Sequence, residues 1–327
     1  MDRTVTVLGA GAWGTAVAQL LAHNGFKVVL WCFEEKVASD IKTLGINTMY
    51  LPDVLLNPAI EVTTDIAYAT GHSRWIFEAI PTTYLRSVLE RIKALLTSDH
   101  VWVVLSKGIE QETFKLPTQI IDEIVGHDSH KVVLAGPSFA SEVIAYKPTA
   151  VTLASSDSGV MQQCSLLLAH PTFATHLTDD ILGAQVGGAF KNVIALAAGI
   201  AQGLGWGDNA RAYLLTQGLA EMADLTEFYE GNRATVYGLS GLGDMLLTCT
   251  GSVSKNLRAG HMLGSGTTLV QLRAIGMTLP EGINTVQSLH QLAARHELES
   301  KIVRAVYGFI FHGQRDTFLQ ALWHQAK

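Results

Sequence analysis

The stretch Thr4-Val5-Thr6-Val7-Leu8-Gly9-Ala10-Gly11-Ala12-Trp13-Gly14 decides the fold of this chain. Its first five residues are β-branched or aliphatic, as in a strand that is buried on both faces of a parallel sheet. A glycine-rich turn follows at once, then a helical run over 15–23 and a second strand-like run over 27–31. The sequence therefore predicts a βαβ unit whose turn has the spacing G-x-G-x-x-G.

The glycines of this turn, Gly9, Gly11 and Gly14, give it a chemical meaning. Glycine at these positions permits a tight turn, lets the backbone approach a pyrophosphate, and lets the helix pack closely on the strand. The amino end of the helix then faces the phosphates. A glycine-rich turn without a ligand is the alternative, but the complete strand, turn and helix context favours a dinucleotide-binding site.

The residues after the second strand bear on the choice of dinucleotide. An acidic residue at this point binds the ribose 2′-hydroxyl of NAD, whereas a basic residue favours NADP. The sequence has Glu34 and Glu35 here and Lys36 directly after them. The glutamates favour NAD, the lysine keeps NADP open, and both glutamates could instead be the solvated first turn of the next helix.

Strand-like and helical segments continue to alternate through the first half of the chain. The strand-like runs are 74–79, 101–105 and 131–135, and the helical segments between them are 85–96 and 116–124. This alternation predicts an α/β fold with a doubly wound sheet of the Rossmann type.

Ligands of doubly wound sheets bind beyond the carboxyl ends of the strands. Lys107 follows one predicted strand end, where its ammonium could meet a phosphate or a carbonyl oxygen. Gly136 and Ser138 follow the next strand end, and they could equally be turn residues without a ligand. We expect Lys107 to be a site residue because of this position.

Beyond about Leu182 long helical segments replace the strand-like runs. We therefore expect a dinucleotide-binding Rossmann domain over 1–182 and an all-α substrate and catalytic domain over 183–327. Lys191 lies near the start of the second domain. The residues stacked on it in a helix are small or apolar, namely Gly187, Gly188, Ile194, Ala195 and Ala198.

A solvated helix face would not carry this pattern around Lys191. The pattern predicts a lysine that projects from a buried stripe and has a partner or a chemical task. A lysine that extends to solvent from the edge of the helix is the structural alternative.

Two further stretches of the second half place polar residues among glycines. Asp244 ends the run Gly238–Asp244, and Ser254, Lys255 and Asn256 open a predicted helix. A helix amino end with an adjacent lysine is a phosphate site, although Ser254 could simply cap the helix and Asp244 could support a turn.

Composition excludes several classes of function. The net charge is −6 and the chain has no basic run interleaved with aromatic residues, so a nucleic-acid partner is not expected. The three cysteines form neither a metal-type pair nor a disulfide framework, so we expect no metal site and a reducing cytoplasm. The most apolar stretch, Val193 to Leu204, is too short to span a bilayer, and no signal segment precedes the first strand.

On these motifs the chain resembles the NAD(P)-dependent glycerol-3-phosphate dehydrogenases, which interconvert dihydroxyacetone phosphate and sn-glycerol 3-phosphate. The resemblance runs nearly end to end, because the motifs occur in the same order. They are Gly9–Gly14, Ser106-Lys107-Gly108, Gly136–Ala140, Gly188–Asn192, Gly241–Asp244 and Ser254–Asn256. The resemblance implies NAD or NADP as cofactor, supply of glycerol 3-phosphate for phospholipid synthesis, and a homodimer as a candidate assembly.

The resemblance also implies roles for individual residues. Lys191 would be the proton donor and acceptor. The residues implied around the substrate are Lys107, Gly136, Ser138, Lys191, Asp244, Ser254, Lys255 and Asn256. Those implied at the cofactor are Gly9, Gly11, Ala12, Trp13, Gly14, Phe33, Lys107, Ala140, Lys255, Leu279 and Glu281.

Two positions depart from the family pattern. Lys255 stands where the family usually has arginine. An arginine could form two parallel hydrogen bonds to a phosphate, whereas a lysine interacts with it as a point charge. The run from Trp31 to Glu35 resembles the NAD-using cytosolic eukaryotic enzymes, whereas many bacterial enzymes prefer NADP.

The predicted chemistry is hydride transfer to the carbonyl carbon, with Lys191 meeting the negative charge that develops on the oxygen. Desolvation and the charge of Lys107 would lower the pKa of Lys191 towards neutrality. Asp244 would orient the lysine or a substrate hydroxyl. The alternatives are another two-domain dehydrogenase for a hydroxy acid or sugar acid, which would need a carboxylate receptor, and a non-enzymatic dinucleotide-sensing regulator.

Overall fold

The computed structural model describes residues 3–274 and 279–323 of the chain. By spatial proximity the chain forms two compact units. The first comprises Met1–Ser106 and Pro117–Ile181, and the second comprises Lys107–Leu116 and Leu182–Lys327. The short segment that begins at Lys107 therefore belongs with the helical half of the chain, although it follows a strand of the first unit.

The first unit is built on a parallel-dominated sheet. Within the described residues the strands are β1 (Thr4–Leu8), β2 (Lys27–Trp31), β3 (Ile46–Asn47), β4 (Leu51–Leu55), β5 (Ile60–Thr63), β6 (Trp75–Glu78), β7 (Val101–Val104), β8 (His130–Ala135), β9 (Thr149–Ala154) and β10 (Phe173–Thr178). Eight of them form one sheet in the order β10-β9-β8-β7-β6-β1-β2-β5, with β8 and β9 antiparallel and the other neighbours parallel. Strands β3 and β4 form a separate antiparallel pair.

The helices of the first unit connect these strands. They are α1 (Ala12–His23), α2 (Glu35–Leu44), α3 (Ile66–His72), α4 (Thr82–Ile92), α5 (Pro117–Ile124), α6 (Ala140–Ile144) and α7 (Ser158–Leu168). Asp65 and Asp157 cap α3 and α7 by accepting hydrogen bonds from backbone amides of the first turn. The fold class predicted from the sequence is confirmed, and α4 is shorter than the predicted 85–96 because a 3₁₀ turn, Lys93–Leu95, follows it.

Strand β1 marks the switch point of the sheet. It pairs with β2 on one side and β6 on the other, so that Leu8 lies opposite both Trp31 and Glu78. All residues of β6 and β7 are buried, which explains why these strands are apolar apart from Glu78, the last residue of β6. Because ligands of such sheets bind at the carboxyl ends of the strands where the order reverses, the turn after Leu8 is where this unit would hold a ligand.

In the described residues of the second unit all regular secondary structure is helical. The helices are α8 (Ile181–Gly203), α9 (Asp208–Phe228), α10 (Asp244–Thr250), α11 (Lys255–Gly264), α12 (Leu269–Ala274), α13 (Glu281–His296), α14 (Lys301–His312) and α15 (Phe318–Trp323). A 3₁₀ turn, Arg233–Tyr237, and a π-helical turn, Leu239–Gly243, precede α10.

Helix α8 is the core of this unit, with every residue from Gly183 to Ala201 buried. The apolar run that begins at Val193, which was expected to be too short to span a bilayer, lies at the carboxyl end of this longer helix. The helix has 23 residues and is long and apolar enough to cross a membrane, but 89% of its most apolar window is buried inside the protein. Its apolar character on all sides thus reflects burial among other helices.

Glycines bring α8 and α11 into close contact. A Cβ atom at Gly199 would lie 2.2 Å from the carbonyl oxygen of Leu257, and one at Gly260 would lie 2.3 Å from that of Leu196. Gly203 and Gly264 continue the same contact one turn further along each helix. The backbones therefore touch over two helical turns, and this contact fixes the amino end of α11 beside α8.

Candidate active site

The turn between β1 and α1 needs glycine at two positions for its own geometry. Gly9 has a φ of +115°, and a Cβ there would lie 2.6 Å from the carbonyl oxygen of Ala79. A Cβ at Gly14 would lie 2.0 Å from the carbonyl oxygen of Gly9. Both glycines are therefore required by the close packing of the turn on α1 and on the end of β6.

Gly11 serves a different purpose, because no atom lies within 4 Å of the place where its Cβ would be. It is the N-cap residue of α1, makes no side-chain capping bond, and is followed by a first turn without an acidic residue. The indole Nε1 of Trp13 in this turn is buried and has no hydrogen-bond partner among the described residues. A dinucleotide with its pyrophosphate at the start of α1 would fit this arrangement. The turn offers open space at Gly11, free helix amides and an unpaired indole N–H.

The other predicted site residues of the first unit, Phe33 and Ala140 for the cofactor and Gly136 and Ser138 for the substrate, follow strands of the same sheet. Phe33 follows β2 and is 69% exposed, so its ring is available as a flat apolar surface. Gly136 follows β8 with a φ of +139°, and the Ser138 hydroxyl donates to its carbonyl oxygen at 3.0 Å. Ala140 is the first residue of α6. The hydrogen bond within the turn agrees with the plain turn interpretation of Gly136 and Ser138.

In the second unit three charged side chains meet. The Nζ atom of Lys191 lies 2.5 Å from Oδ1 of Asp244, and the Nζ atom of Lys107 lies 2.8 Å from Oδ2 of the same carboxylate. Lys191 is 8% exposed and Asp244 is 1% exposed. One buried carboxylate therefore bridges two ammonium groups, and both of its oxygen atoms are used.

Glycines of α8 make room for this cluster. A Cβ at Gly188 would press within 3.4 Å of the Lys107 side chain, and one at Gly187 would lie 2.4 Å from the carbonyl oxygen of Ser240. Ser240 belongs to the π-helical turn that leads into Asp244. The small residues next to Lys191 therefore let the segments that carry Lys107 and Asp244 reach it. The predicted burial of Lys191 is confirmed.

Burial and neighbouring charges shift the pKa values of Lys191 and Asp244. Desolvation lowers the pKa of Lys191 from 10.5 to about 8; Lys107 also lowers it, while Asp244 opposes the shift. The pKa of Asp244 is held below its usual value by the two lysines, against the effect of its own burial. Lys191 can consequently carry or release a proton near neutral pH while Asp244 stays ionised.

A second polar link joins α8, α11 and α13. The Asn256 amide donates to Oδ1 of Asn192 at 2.9 Å, and its own Oδ1 accepts from the backbone N–H of Gly282 at 3.1 Å. Ser254 caps α11 by accepting from the N–H of Leu257 at 3.2 Å. Asn192 was not assigned a role from the sequence, although its position next to Lys191 was the signal that could have indicated one.

Lys255 and Glu281 differ from the residues around them because neither side chain makes a hydrogen bond or an ion pair within residues 3–274 and 279–323. Lys255 is exposed at the first position of α11. Glu281 is half-buried at the first position of α13, and desolvation raises the pKa of its carboxyl to about 7 despite the opposing charges of Lys107, Lys191 and Lys255. Leu279, just before α13, is partly buried against the apolar core.

The structure thus places the predicted site residues in two sets. The first unit holds Gly9, Gly11, Ala12, Trp13, Gly14, Phe33, Gly136, Ser138 and Ala140, and the second unit holds Lys107, Lys191, Asp244, Ser254, Lys255, Asn256, Leu279 and Glu281. In the second set, direct contacts join Lys107, Lys191 and Asp244. Among the described residues no group of three His, Cys, Asp or Glu side chains could hold a metal ion.

Similarity to known proteins covers nearly the whole chain. The family described as NAD-dependent glycerol-3-phosphate dehydrogenase matches with its N-terminus over residues 4–161 and with its C-terminus over residues 180–317. The NAD(P)+ glycerol-3-phosphate dehydrogenase of Lysinibacillus sphaericus is 41% identical over 318 residues, which cover 94% of this chain and 92% of that enzyme. The Bacillus subtilis enzyme of the same name is 40% identical, with coverage of 99% and 95%.

A solved structure gives the same result. The crystal structure of glycerol-3-phosphate dehydrogenase from Coxiella burnetii superimposes with a TM-score of 0.93 at 33% sequence identity. The superposition covers 98% of this chain and 97% of that one. The similarity therefore extends over both units and is not confined to the dinucleotide-binding half.

Proposed function

Because this chain belongs to the NAD-dependent glycerol-3-phosphate dehydrogenase family, we propose that its two sets of site residues divide that reaction between them. The protein is an NAD(P)-dependent oxidoreductase that reduces dihydroxyacetone phosphate to sn-glycerol 3-phosphate, and the reaction is reversible. The first unit would bind the dinucleotide through the glycine turn and the amino end of α1. The second unit would bind the substrate and handle the proton.

The observation that carries the assignment of the second unit is the bridge of Asp244 between Lys191 and Lys107 at 2.5 and 2.8 Å. A buried ammonium whose pKa is lowered to about 8 is suited to give a proton to an oxygen that becomes negative. Asp244 holds the two ammonium groups apart and in place. Lys107 is left with N–H donors for a second oxygen of the substrate.

The proton and the hydride reach the substrate from different sources. When bound, the reduced nicotinamide supplies a hydride to the carbonyl carbon. Lys191 donates its proton to the carbonyl oxygen as the C=O bond becomes a C–O single bond, and is left as a neutral amine. In the reverse direction the same amine accepts the hydroxyl proton. Solvent restores the ammonium through the 8% of Lys191 that stays exposed.

We assign the phosphate group of the substrate to the amino end of α11. Lys255 is exposed there without a partner among the described residues, next to the capped first turn. Lysine acts on a phosphate as a point charge, in contrast to the two-pronged contact of an arginine. Asn256 completes this region through its bonds to α8 and α13.

The alternatives raised by the sequence are not retained. A hydroxy-acid or sugar-acid dehydrogenase would need a carboxylate receptor, and a regulator would not need two lysines on one buried carboxylate. The relatives at about 40% identity carry the glycerol-3-phosphate dehydrogenase name over nearly their full length, which supports the activity proposed here.

Several wider properties belong to the same proposal. We place the enzyme in the cytoplasm, where it would supply glycerol 3-phosphate for phospholipid synthesis. Its three cysteines are buried and free, as is usual in a reducing compartment.

We also propose a homodimer, since Tyr237, Val270 and Trp323 expose large apolar side chains on the second unit. Light scattering on a purified sample would test the oligomeric state.

The decisive test is replacement of the proposed proton donor. Lys191→Met keeps an unbranched chain of similar length but removes the ammonium, so we expect kcat for dihydroxyacetone phosphate to fall by about 10²- to 10⁴-fold. The dissociation constant of NADH, measured by nicotinamide fluorescence, should stay within about twofold because the glycine turn is untouched.

The matched control is Lys147→Met, which removes an exposed lysine whose side chain is 62% accessible. We expect it to behave as the unmodified protein in both measurements. Loss of NADH binding in the Lys191 variant would instead assign that lysine a structural role, and unchanged turnover would refute the proposed mechanism.

A further inference from the structure

The last residue of β6 is a glutamate in an otherwise apolar strand. Glu78 is fully buried. Its Oε1 atom accepts a hydrogen bond of 2.6 Å from the backbone N–H of Ile80, and its Oε2 atom accepts one of 2.6 Å from the hydroxyl of Ser106. Burying a carboxylate is costly unless it is hydrogen-bonded, and bonds to an ionised acceptor are stronger than neutral ones. These two donors therefore hold Glu78 firmly, and Glu78 holds them.

The bond to Ile80 orients the peptide group that packs on the glycine turn. The N–H of Ile80 and the carbonyl of Ala79 belong to one planar peptide group, so holding the N–H on Glu78 also sets the direction of the carbonyl. That carbonyl oxygen would lie 2.6 Å from a Cβ atom at Gly9. The N–H of Ala79 donates to the carbonyl oxygen of Leu8 at 2.9 Å. One oxygen of Glu78 is thus used for the shape of the turn.

The bond to Ser106 fixes the place where the chain leaves the sheet. Strand β7 ends at Val104, and the N–H of Leu105 donates to the backbone carbonyl oxygen of Glu78 at 2.8 Å. Ser106, which donates to the side chain of Glu78, is followed directly by Lys107, the first residue of the short segment that belongs to the second unit. The backbone and the side chain of one glutamate therefore hold the two residues that precede Lys107.

The proposed task of Lys107 depends on accurate placement of its ammonium group. Its Nζ atom lies 2.8 Å from Oδ2 of Asp244, and its side chain is 17% exposed. A Cβ atom at Gly188 would lie 3.4 Å from the Cγ and Cδ atoms of this side chain. Lysine has a long flexible chain, so its ammonium can meet both Asp244 and a substrate oxygen only if the backbone where the chain starts is also held.

We propose that Glu78, through its hydrogen bond to Ser106, positions Lys107 for contact with the substrate. This inference rests on the proposed role of Lys107 in the reduction of dihydroxyacetone phosphate. Glu78 acts through other residues, so it is a positioning residue. Without the bond, Lys107 samples positions in which its N–H donors miss the substrate oxygen, and the reaction slows although Lys191 is unchanged.

Ser106→Ala tests the proposal, because it removes the hydroxyl and leaves the glycine turn in place. We expect kcat/KM for dihydroxyacetone phosphate to fall about tenfold, while the dissociation constant of NADH stays within about twofold. Ser106→Thr keeps a hydroxyl and should recover most of the loss. In a Lys107→Met background Ser106→Ala should have little further effect, because the lysine that it positions is gone.

Glu78→Gln tests the other partner of the bond. The amide oxygen can still accept from the N–H of Ile80, and the amide nitrogen can face Ser106, so the variant keeps the size of the side chain but loses its charge. We expect a fall in kcat/KM of about threefold, smaller than that of Ser106→Ala. Combined with Ser106→Ala, it should add little further loss.

Ser155→Ala is the matched control for the loss of a serine hydroxyl. Ser155 donates to the carbonyl oxygen of Lys131 at 2.6 Å, the same length of bond, but at the amino end of β8 and so away from the ligand edge of the sheet. Both alanine variants should lower the urea midpoint of unfolding to a similar extent. Ser155→Ala should nevertheless keep kcat/KM within about twofold of the unmodified value.

A second measurement needs no turnover. Acetic anhydride acetylates lysine side chains that reach solvent, and mass spectrometry of peptides gives the rate at Lys107. We expect this rate to rise about threefold in Ser106→Ala, because Lys107 leaves Asp244 more often, and to stay unchanged in Ser155→Ala. Lys147, whose side chain is 62% exposed, provides the internal standard.

The outcomes separate this inference from the proposed function. It is overturned by additive losses from Ser106→Ala and Lys107→Met, by equal effects of Ser106→Ala and Ser155→Ala on kcat/KM, or by an unchanged labelling rate at Lys107. If the unmodified protein binds NADH but does not oxidise it with dihydroxyacetone phosphate, the proposed function fails. The labelling rate then decides alone whether Glu78 and Ser106 position Lys107.

Discussion

The glycine turn of the first unit lies within six consecutive residues, Gly9 to Gly14, whereas the lysine cluster of the second unit joins three distant segments. Asp244 is 53 residues from Lys191 and 137 residues from Lys107. The turn offers backbone amides and open space, so its chemistry depends on shape. The cluster offers two ammonium groups and a buried carboxylate, so its chemistry depends on charge and pH.

The largest expected difference between these regions is their response to pH. Reduction needs the ammonium form of Lys191, whose pKa is lowered to about 8. Half of Lys191 is protonated at pH 8 and about one hundredth at pH 10, so kcat for reduction should fall roughly 50-fold between these pH values. Oxidation of glycerol 3-phosphate needs the neutral amine and should rise with pH up to about 8 and then level off.

Affinity for NADH provides the internal control, because the backbone amides of the turn do not titrate. The dissociation constant should stay flat from pH 7 to pH 10. In Lys107→Met the residual rate at saturating substrate should titrate at higher pH, since Lys107 lowers the pKa of Lys191. A reduction rate that stays constant to pH 10 would rule out Lys191 as the proton donor.

The next largest expected effect is on NADH affinity, and it comes from substituting two glycines of the turn that differ in their surroundings. A Cβ at Gly11 meets no atom within 4 Å, so Gly11→Ala should keep the free energy of unfolding within about 0.5 kcal/mol. It should nevertheless weaken NADH binding about tenfold, because the methyl group occupies the space that a pyrophosphate needs.

Gly14→Ala is the contrasting variant, because its Cβ would lie 2.0 Å from the carbonyl oxygen of Gly9. We expect it to lower the free energy of unfolding by about 1–3 kcal/mol as well as weakening NADH binding. Urea denaturation and fluorescence titration measure the two effects separately. Equal losses of stability in both variants would show that Gly11 is also a packing residue.

The same contrast explains what could be predicted from the sequence. The turn and the α/β fold were predictable because strand, glycines and helix are neighbours in the chain, and the apolar stripe around Lys191 indicated its burial. The sequence could not predict the hydrogen bonds between Asn47 and Tyr50 or between Asn192 and Asn256, because side-chain amides that form such bonds follow no periodic pattern.

Strand prediction failed for a related reason. Strand β10 reads Phe-Ala-Thr-His-Leu-Thr and has one buried residue, so it lacks the apolar run that identified β1 and β7. Strand β4 contains a proline and lies in the separate two-stranded pair. Contact with neighbouring strands, and not local composition, stabilises these two segments.

The smallest effect tests whether helix packing sets the geometry of the second region. Gly199 lies on α8, and a Cβ there would lie 2.2 Å from the carbonyl oxygen of Leu257 on α11. Gly199→Ala should lower the free energy of unfolding by about 1–3 kcal/mol and push apart the helices that carry Asn192 and Asn256. Since Asn256 lies on the moved helix, KM for dihydroxyacetone phosphate should rise about threefold, with NADH affinity unchanged.

Gly71→Ala is the control, because Gly71 lies in α3 with no atom within 4 Å of its Cβ position. Alanine at this position should stabilise the helix by up to about 1 kcal/mol. A Gly199 variant with reduced stability but an unchanged KM would show that the glycine contact holds the unit together without positioning the substrate, and Lys191, Lys107 and Asp244 would then suffice for that task.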